Sequence, residues 1–225
     1  MWSYALIPVG ASLLGGLFVV LWKPSKQVTS AAQHLAAGVI FAAAASELLP
    51  DAIRRGTIWP VAIGAAVGVA VMLMLRVAEQ RAKGPVGLIG AAAVDALLDG
   101  IVLGLGFAAG QKQGMLLAIA LSIEFLSLAV GIAAAFRGGV RKWVLLAATF
   151  GVSCMVPAGS LLALPISHSP NALRTAAFSF GLVALLYLAV EELLVEAHEV
   201  EDRLWTTAMF FVGFIGLIIL TERLS

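Results

Sequence analysis

The chain has 225 residues, of which 61% are hydrophobic and only 12% charged, and its mean hydropathy is +1.03. Soluble domains are typically about 45–50% apolar and about 25% charged, so a soluble protein of this size could not bury that much apolar surface. Cys154 is the only cysteine, which excludes an internal disulfide framework, and the formal net charge of +1 gives no indication of nucleic acid. The composition predicts an integral membrane protein, with the lipid bilayer as its surroundings.

Eight apolar runs are long enough to cross a bilayer as helices, which takes roughly 20 residues each. Charges, Pro and Gly separate them, and in chain order they are 4–22, 31–49, 59–75, 86–109, 115–136, 143–164, 172–195 and 204–221. The runs are continuous and do not alternate between polar and apolar residues, which argues against a β-barrel. We expect one all-α transmembrane domain over residues 1–225.

The loop charges predict the orientation, because cytoplasmic loops carry an excess of Lys and Arg. With the N-terminus outside, the inner loops hold Lys23, Lys26, Arg76, Arg81, Lys83, Arg137, Arg141, Lys142 and Arg203. The outer segments then hold the smaller set Arg54, Arg55, Lys112, Arg174 and Arg223. We therefore expect both termini outside, in a multi-pass protein of the cell (inner) membrane.

Two segments share the pattern Glu-Leu-Leu-x-acid-Ala: residues 47–52 end the second run and residues 192–197 end the seventh. In the expected topology the first copy lies at the outer end of its helix and the second at the inner end of its helix. Matching segments of opposite orientation indicate an inverted repeat, here of helices 1–3 and 6–8 around helices 4 and 5. Secondary transporters are often built in this way.

Three acids lie near the middle of the fourth and fifth runs: Asp95, Asp99 and Glu124. The i, i+4 spacing of the two aspartates puts both on one helix face. Ionisable groups inside a membrane are costly and usually functional. Because like charges repel strongly in a low dielectric, either these acids are protonated or a cation lies among them. The alternatives to a cation site are a proton relay and three neutral acids joined by interhelical hydrogen bonds.

A second group of polar residues follows the seventh run, on the predicted inner side: Glu191, Glu192, Glu196, His198, Glu199, Glu201 and Asp202. His34, at the inner start of the second helix, lies on the same side. We interpret Glu191, Glu192, Glu196, His198 and His34 as an exit pathway for a cation; a solvated acidic helix end is the alternative.

Enzymatic chemistry has little support in the sequence. Nucleotide-binding loops, metalloprotease motifs and a nucleophile elbow are all missing. An intramembrane aspartyl hydrolase could use two of the mid-membrane acids, but the glycine-containing motifs of such enzymes are missing too. We expect a protein that is not an enzyme and has no resident cofactor.

Several segments resemble the ZIP (Zrt/Irt-like) family of divalent metal transporters, especially its compact bacterial branch. Residues 34–52, HLAAGVIFAAAASELLPDA, are similar to the family's AAGVMLAAxFxxLLPEA, and residues 187–199, YLAVEELLVEAHE, are similar to YVVVEELIPEAHE. Residues 156–159 read VPAG where the family commonly has Glu-Pro-x-Gly. The resemblance implies eight helices, a transport site on helices four and five, and a homodimer, which the glycine-rich helix faces also favour.

At the family's transport site this sequence keeps only part of the pattern. Residues 95–100 read DALLDG in place of His-Asn-x-Pro-Glu-Gly or His-x-x-x-Asp-Gly, so Asp95 takes the His position and Asp99 the acid position. Residues 123–128 read IEFLSL in place of Gln/His-Asp/Glu-x-Pro-Glu-Gly, so Glu124 keeps a carboxylate and Ser127 replaces a bridging Glu. Without the family's prolines, we expect helices four and five to be straighter.

The remaining ligands, Asp95, Asp99, Glu124 and Ser127, all offer oxygen, which favours harder cations than a site that contains His. We expect a single-site carrier that moves a divalent metal (Zn, Mn or Fe) toward the cytoplasm, with an entrance near Glu47 and Asp51. A transporter of another solute, or a transport-inactive ZIP-like protein, is the alternative.

Overall fold

The computed structural model describes residues 2–22, 24–54, 57–81, 84–135, 142–201 and 203–224. In these ranges all regular structure is helical, with no strand, and eight helices are long and apolar enough to cross a membrane. The expected all-α fold is thereby confirmed, and so is the expected number of helices that are long and apolar enough to cross a membrane. Several residues used above lie outside the described ranges, namely Lys23, Arg55, Lys83, Phe136, Arg137, Arg141 and Asp202.

We number the spanning helices in chain order. They are α1 (Trp2–Leu21), α2 (Lys26–Arg54), α3 (Ile58–Arg81), α4 (Gly84–Ala109), α5 (Gln111–Ala135), α6 (142–167), α7 (Asn171–Ala197) and α8 (Leu204–Arg223). Helices α2 and α3 extend beyond the apolar runs, because their charged ends continue the helix. Long charged side chains can reach the membrane interface from such positions. The apolar runs in the sequence therefore predict the hydrophobic middle of each helix but not its charged ends.

Two helices contain a π-helical segment, Ala44–Leu48 in α2 and Leu188–Leu193 in α7. The wider turn of a π-segment changes the direction of the side chains that follow it, and such segments are rare and frequently functional. Each segment contains the glutamate of the shared Glu-Leu-Leu pattern, Glu47 in α2 and Glu192 in α7. Both copies of the sequence pattern therefore coincide with the same local irregularity.

Helix α6 is interrupted, whereas the sequence predicts one continuous run. It consists of Lys142–Ser153, Met155–Leu162 and Leu164–Ser167. Pro157 and Pro165 lie just after the two breaks. Proline has no N–H to donate and its ring clashes with the carbonyl four residues earlier, which accounts for both interruptions. Helices α4 and α5, in contrast, are each continuous.

Close helix pairs organise the bundle: α1 packs on α5, α4 on α6, α2 on α8 and α3 on α7. Glycine permits the closest of these approaches. A Cβ on Gly159 of α6 would collide with the backbone carbonyl of Leu97 in α4, whereas a Cβ on Gly151, also in α6, would meet nothing within 4 Å. The backbone of α6 thus lies directly against the segment of α4 that contains Asp95 and Asp99.

We predict that Gly159→Ala destabilises the protein and that Gly151→Ala does not. Overpacking against backbone typically costs about 1–3 kcal/mol, because neither helix can move away without disturbing its other neighbours. Thermal unfolding of the purified protein in detergent should show a lower midpoint for Gly159→Ala alone. Equal midpoints for the two variants would contradict the close α4–α6 contact.

Candidate metal centre

The structure brings together three of the acids that the sequence places in mid-membrane. One carboxylate oxygen from each of Asp95, Asp99 and Glu124 lies within 4.8 Å of the others. Asp99 is 4% exposed and Glu124 2% exposed, whereas Asp95 is half-buried. We call these three residues the acid cluster.

The fold explains how residues distant in sequence meet at this point. Helix α4 ends at Ala109 and α5 begins at Gln111, so the two helices form an antiparallel hairpin around Gly110. Asp99 and Glu124 lie at similar distances from this turn and therefore at a similar depth. The i, i+4 spacing then adds Asp95 one turn further from the hairpin turn, on the same face of α4.

Several oxygens at this depth are buried and have no hydrogen-bond partner among the described residues: Asp99 Oδ2, Glu124 Oε2 and Ser127 Oγ. Ser127 lies one turn after Glu124 on α5, on the same side of the helix. A buried polar atom left unpaired costs about 1–3 kcal/mol, and more if it is charged. Three such oxygens suit a cation, because carboxylate and hydroxyl oxygens are ligands for hard divalent ions.

The cluster can also hold a proton. Asp99 and Glu124 are both buried, and each has a carboxylate oxygen within 4.8 Å of one on the other. Because two ionised carboxylates repel at this distance, a proton on one of them would relieve the repulsion. Asp99 Oδ2 and Glu124 Oε2 nevertheless stay without a partner. A shared proton therefore satisfies only part of the cluster, and a metal ion would compete with it for the same oxygens.

Further acids extend the negative charge from the cluster toward the end of α7. Glu192, in the π-segment of α7, interacts electrostatically with both Asp95 and Asp99. Glu79 of α3 interacts in the same way with Asp95 and Glu192. Sequence reasoning missed Glu79, because it belongs to the charged end of α3 and looks like an ordinary helix flank.

The neighbouring acids Glu191 and Glu192 have different partners. Glu191 forms an ion pair with Arg76 of α3, with 2.7 Å between Arg76 Nη1 and Glu191 Oε2. Glu192 interacts electrostatically with Asp95 and Asp99 of the acid cluster, and no ion pair joins it to a described basic residue. Of the predicted exit residues, Glu191 is thus balanced by a cation and Glu192 is not.

The remaining predicted exit residues lie where α2 begins and α7 ends. Gln33 Nε2 donates a hydrogen bond of 2.6 Å to Glu196 Oε2, and the rings of His34 and His198 have centroids 5.1 Å apart. His34 is buried, while His198 and Glu196 are exposed. These residues form a group of their own, apart from the acid cluster.

The predicted entrance residues lie at the opposite end of α2. Glu47 is buried and accepts hydrogen bonds from Ser46 Oγ at 2.8 Å and from Thr221 Oγ1 of α8 at 3.3 Å. Asp51 follows one turn later and is half-buried. Neither residue belongs to the acid cluster, and Glu47 connects the π-segment of α2 to α8.

Two buried hydroxyls on α7 were not singled out from the sequence. Thr175 Oγ1 and Ser179 Oγ have no hydrogen-bond partner among the described residues. The two residues are four positions apart and therefore lie on one face of α7, a spacing that can be recognised in the sequence.

Comparisons with known proteins do not assign a family: no protein-family model matches this chain, and no curated protein matches it either.

We predict that Glu124→Gln stabilises the metal-free protein and removes its stabilisation by metal. The neutral amide relieves repulsion among buried carboxylates but takes away a ligand. With a chelator, the thermal unfolding midpoint of Glu124→Gln should exceed that of the wild type. On adding Mn²⁺ or Zn²⁺, only the wild-type midpoint should rise.

The matched control for this prediction is Glu222→Gln, which makes the same substitution at an exposed glutamate at the end of α8. It should behave as the wild type in both conditions. A metal-dependent rise that is equal in Glu124→Gln and the wild type would place the bound ion elsewhere.

Proposed function

We propose that this protein is a ZIP-like secondary transporter that moves divalent metal cations (Zn²⁺, Mn²⁺ or Fe²⁺) across the membrane toward the cytoplasm. The observation that carries the proposal is the acid cluster: three carboxylates within 4.8 Å of one another on membrane-spanning helices, with buried oxygens that lack partners. The side chains that extend its field, Glu79 and Glu192, are acids as well. A site of this kind attracts cations and repels anions.

The proposed ligands favour the harder of these three cations, because all of them are oxygens. Asp95, Asp99, Glu124 and Ser127 supply only oxygen, and water would complete the coordination. Imidazole and thiolate ligands favour Zn²⁺ and Cu²⁺ more strongly than oxygen does, whereas carboxylate and water suit Mn²⁺. We therefore expect Mn²⁺ to be carried at least as well as Zn²⁺, through a single site.

The proposal includes an inverted repeat of α1–α3 and α6–α8 around α4 and α5. Two equivalent helix contacts support it: Gly213 of α8 lies against the Leu35 carbonyl of α2, and Gly68 of α3 lies against the Phe180 carbonyl of α7. Three pairs of residues have the same separation in sequence: Leu35 and Phe180, Gly68 and Gly213, and Glu47 and Glu192. The two π-segments are separated in sequence by nearly the same number of residues.

An inverted repeat gives a physical route to alternating access, because its two halves can rock against each other around a fixed central site. In the proposed path the ion enters near Glu47 and Asp51 and binds at the acid cluster. It then leaves past Glu192 and Glu196, the acids on the far side. Asp95 is the member of the acid cluster that lies on the side of this exit.

The Lys and Arg distribution supports the remaining topology: both termini outside, in the cell (inner) membrane. Apolar side chains exposed on α1, α3 and α8 would face lipid or the second copy of a homodimer. The proposed activity is transport without enzymatic chemistry or a resident cofactor, and the metal is the substrate.

One observation favours a second candidate, a proton-coupled transporter of a non-metal solute on a ZIP-like scaffold. Asp99 and Glu124 are buried close to each other, which favours a proton on one of the two carboxyl groups in the absence of a metal. Transport that depends on a proton gradient and on no metal would favour this candidate.

We predict that proteoliposomes containing the protein accumulate Mn²⁺, Zn²⁺ or Fe²⁺, and that Asp99→Asn lowers the rate at least about tenfold. The aspartate is buried at the centre of the site, and loss of a charged ligand typically costs several kcal/mol when its partners stay buried. Uptake is measured by a metal-sensitive dye or by isotope flux. Glu222→Gln is the control and should leave the rate unchanged.

Two results of this experiment would contradict metal transport: no metal-dependent flux in the wild type, or the same flux in Asp99→Asn.

We also predict that metal affinity falls steeply as the pH is lowered from about 8 to about 5, because protons and metal compete for the same carboxylate oxygens. The affinity of the purified protein for Mn²⁺ can be followed by calorimetry across this range. Glu124→Gln, which lacks one of the ligands, should show no measurable binding across the same range. A flat wild-type curve would show that the bound ion does not displace protons.

A further inference from the structure

Thr175 and Ser179 are buried residues of α7 whose hydroxyls contribute no hydrogen bond to the described fold. Thr175 is 0% exposed and Ser179 1% exposed, and neither Thr175 Oγ1 nor Ser179 Oγ has a hydrogen-bond partner among the described residues. A Ser or Thr inside a helix can donate to the carbonyl four residues earlier, as Ser122 does to Ala118 at 2.6 Å. Two hydroxyls on one face of α7 lack even this bond, which costs free energy in the described conformation.

The contacts of Gly181 give a reference for the depth of these hydroxyls. A Cβ on Gly181 would lie 3.3 Å from the side chain of Val102 in α4 and 3.6 Å from that of Leu48 in the π-segment of α2. Further along α7, Glu192 interacts electrostatically with Asp95, which precedes Val102 on α4. Helices α4 and α7 therefore run in opposite directions, and three helices meet at the level of Gly181.

Measured from this level, the hydroxyls lie on the side of the acid cluster that faces away from the exit. Asp99 lies three positions from Val102 toward the exit, and Ser179 lies two positions from Gly181 in the opposite direction. At about 1.5 Å per residue, Ser179 and Asp99 differ in depth by about 7–8 Å. Thr175 lies one turn beyond Ser179, about 6 Å further from the cluster.

The predicted entrance residues of α2 lie at about the same depth as Ser179. Helix α7 packs against both the π-segment of α2 and the segment Leu49–Arg54 that follows it. Glu47 adjoins Leu48, which contacts the reference level, and Asp51 lies one turn further toward the end of α2. Oxygen-bearing side chains therefore continue from the acid cluster toward the entrance on two adjacent helices.

Exposure differs between the two sides of the acid cluster. Toward the exit, Asp95 and Glu192 are half-buried and Glu196 is exposed. Toward the entrance, Glu47 is 4% exposed, and both hydroxyl residues of α7 are buried still more completely. The described conformation is therefore closed on the entrance side and more open on the exit side.

We propose that Thr175 and Ser179 line the entry half of the ion path, where their hydroxyls pair with water and with the entering hydrated divalent cation when the outer side opens. This inference rests on the proposed function and adds two residues to its path. A hydroxyl that is unpaired in the closed conformation and paired in the open one favours opening, because its desolvation cost is then relieved. Neutral oxygens suit a passing ion, since they replace its water ligands without holding it as firmly as a carboxylate does.

Access from the outer side is tested with single-cysteine variants of the full-length protein in whole cells. Cys154 is the only native cysteine, so Ser179→Cys and Thr175→Cys are made in a Cys154→Ala background. A small, membrane-impermeant, cationic thiol reagent added outside should modify both variants. Ala184→Cys is the matched control and should stay unmodified, because Ala184 is also buried, at 5% exposed, but lies on the opposite face of α7 from Thr175.

The role of the hydroxyl is tested by two substitutions at one position. Thr175→Val keeps the shape of the side chain and removes only the hydroxyl, whereas Thr175→Ser keeps the hydroxyl. We expect Thr175→Val to raise the thermal unfolding midpoint, since an unpaired buried oxygen is gone, and to lower Mn²⁺ uptake into proteoliposomes at least about fivefold. Thr175→Ser should retain the wild-type rate of uptake.

Several results would overturn this inference while leaving metal transport intact. They are unmodified cysteines at both positions in a protein that takes up metal, equal modification of Ala184→Cys, and a Thr175→Val variant with unchanged uptake or a lowered unfolding midpoint. The opposite case is also distinguishable. If the wild type takes up no metal and Ser179→Cys is still modified from outside, the proposed metal transport fails, whereas an outward path lined by these hydroxyls is supported for another solute.

Discussion

An ionised carboxylate in the middle of a bilayer requires a partner, and the arrangement of this protein follows from that requirement. Asp99 and Glu124 are both buried close to each other, and each has one buried oxygen with no hydrogen-bond partner among the described residues. A cluster built only for stability would be satisfied or would be replaced by apolar residues, since buried ionic groups rarely stabilise a fold on balance. Under the proposed function, a transported cation would take these unpaired oxygens as ligands.

The π-segments contain glutamates with different surroundings. In α7, Glu191 pairs with Arg76, whereas the neighbouring Glu192 interacts electrostatically with Asp95 and Asp99. In α2 the equivalent Glu47 is satisfied by hydroxyls and lies outside the cluster. The two copies of the pattern therefore have different roles. Glu47 stabilises the contact between α2 and α8, whereas Glu192 contributes negative charge near the acid cluster.

Much of this could be predicted from the sequence, because the signals are local. Hydropathy reveals the eight spans, and the i, i+4 spacing of Asp95 and Asp99 predicts their common face. The π-segments were not predicted, because a π-turn is a shift in backbone hydrogen bonding that the hydropathy pattern does not record. Glu79 was missed for a related reason: its importance comes from α3 packing beside α7, which is a tertiary contact. The breaks in α6 are a different case, because Pro157 and Pro165 were visible in the sequence and were passed over.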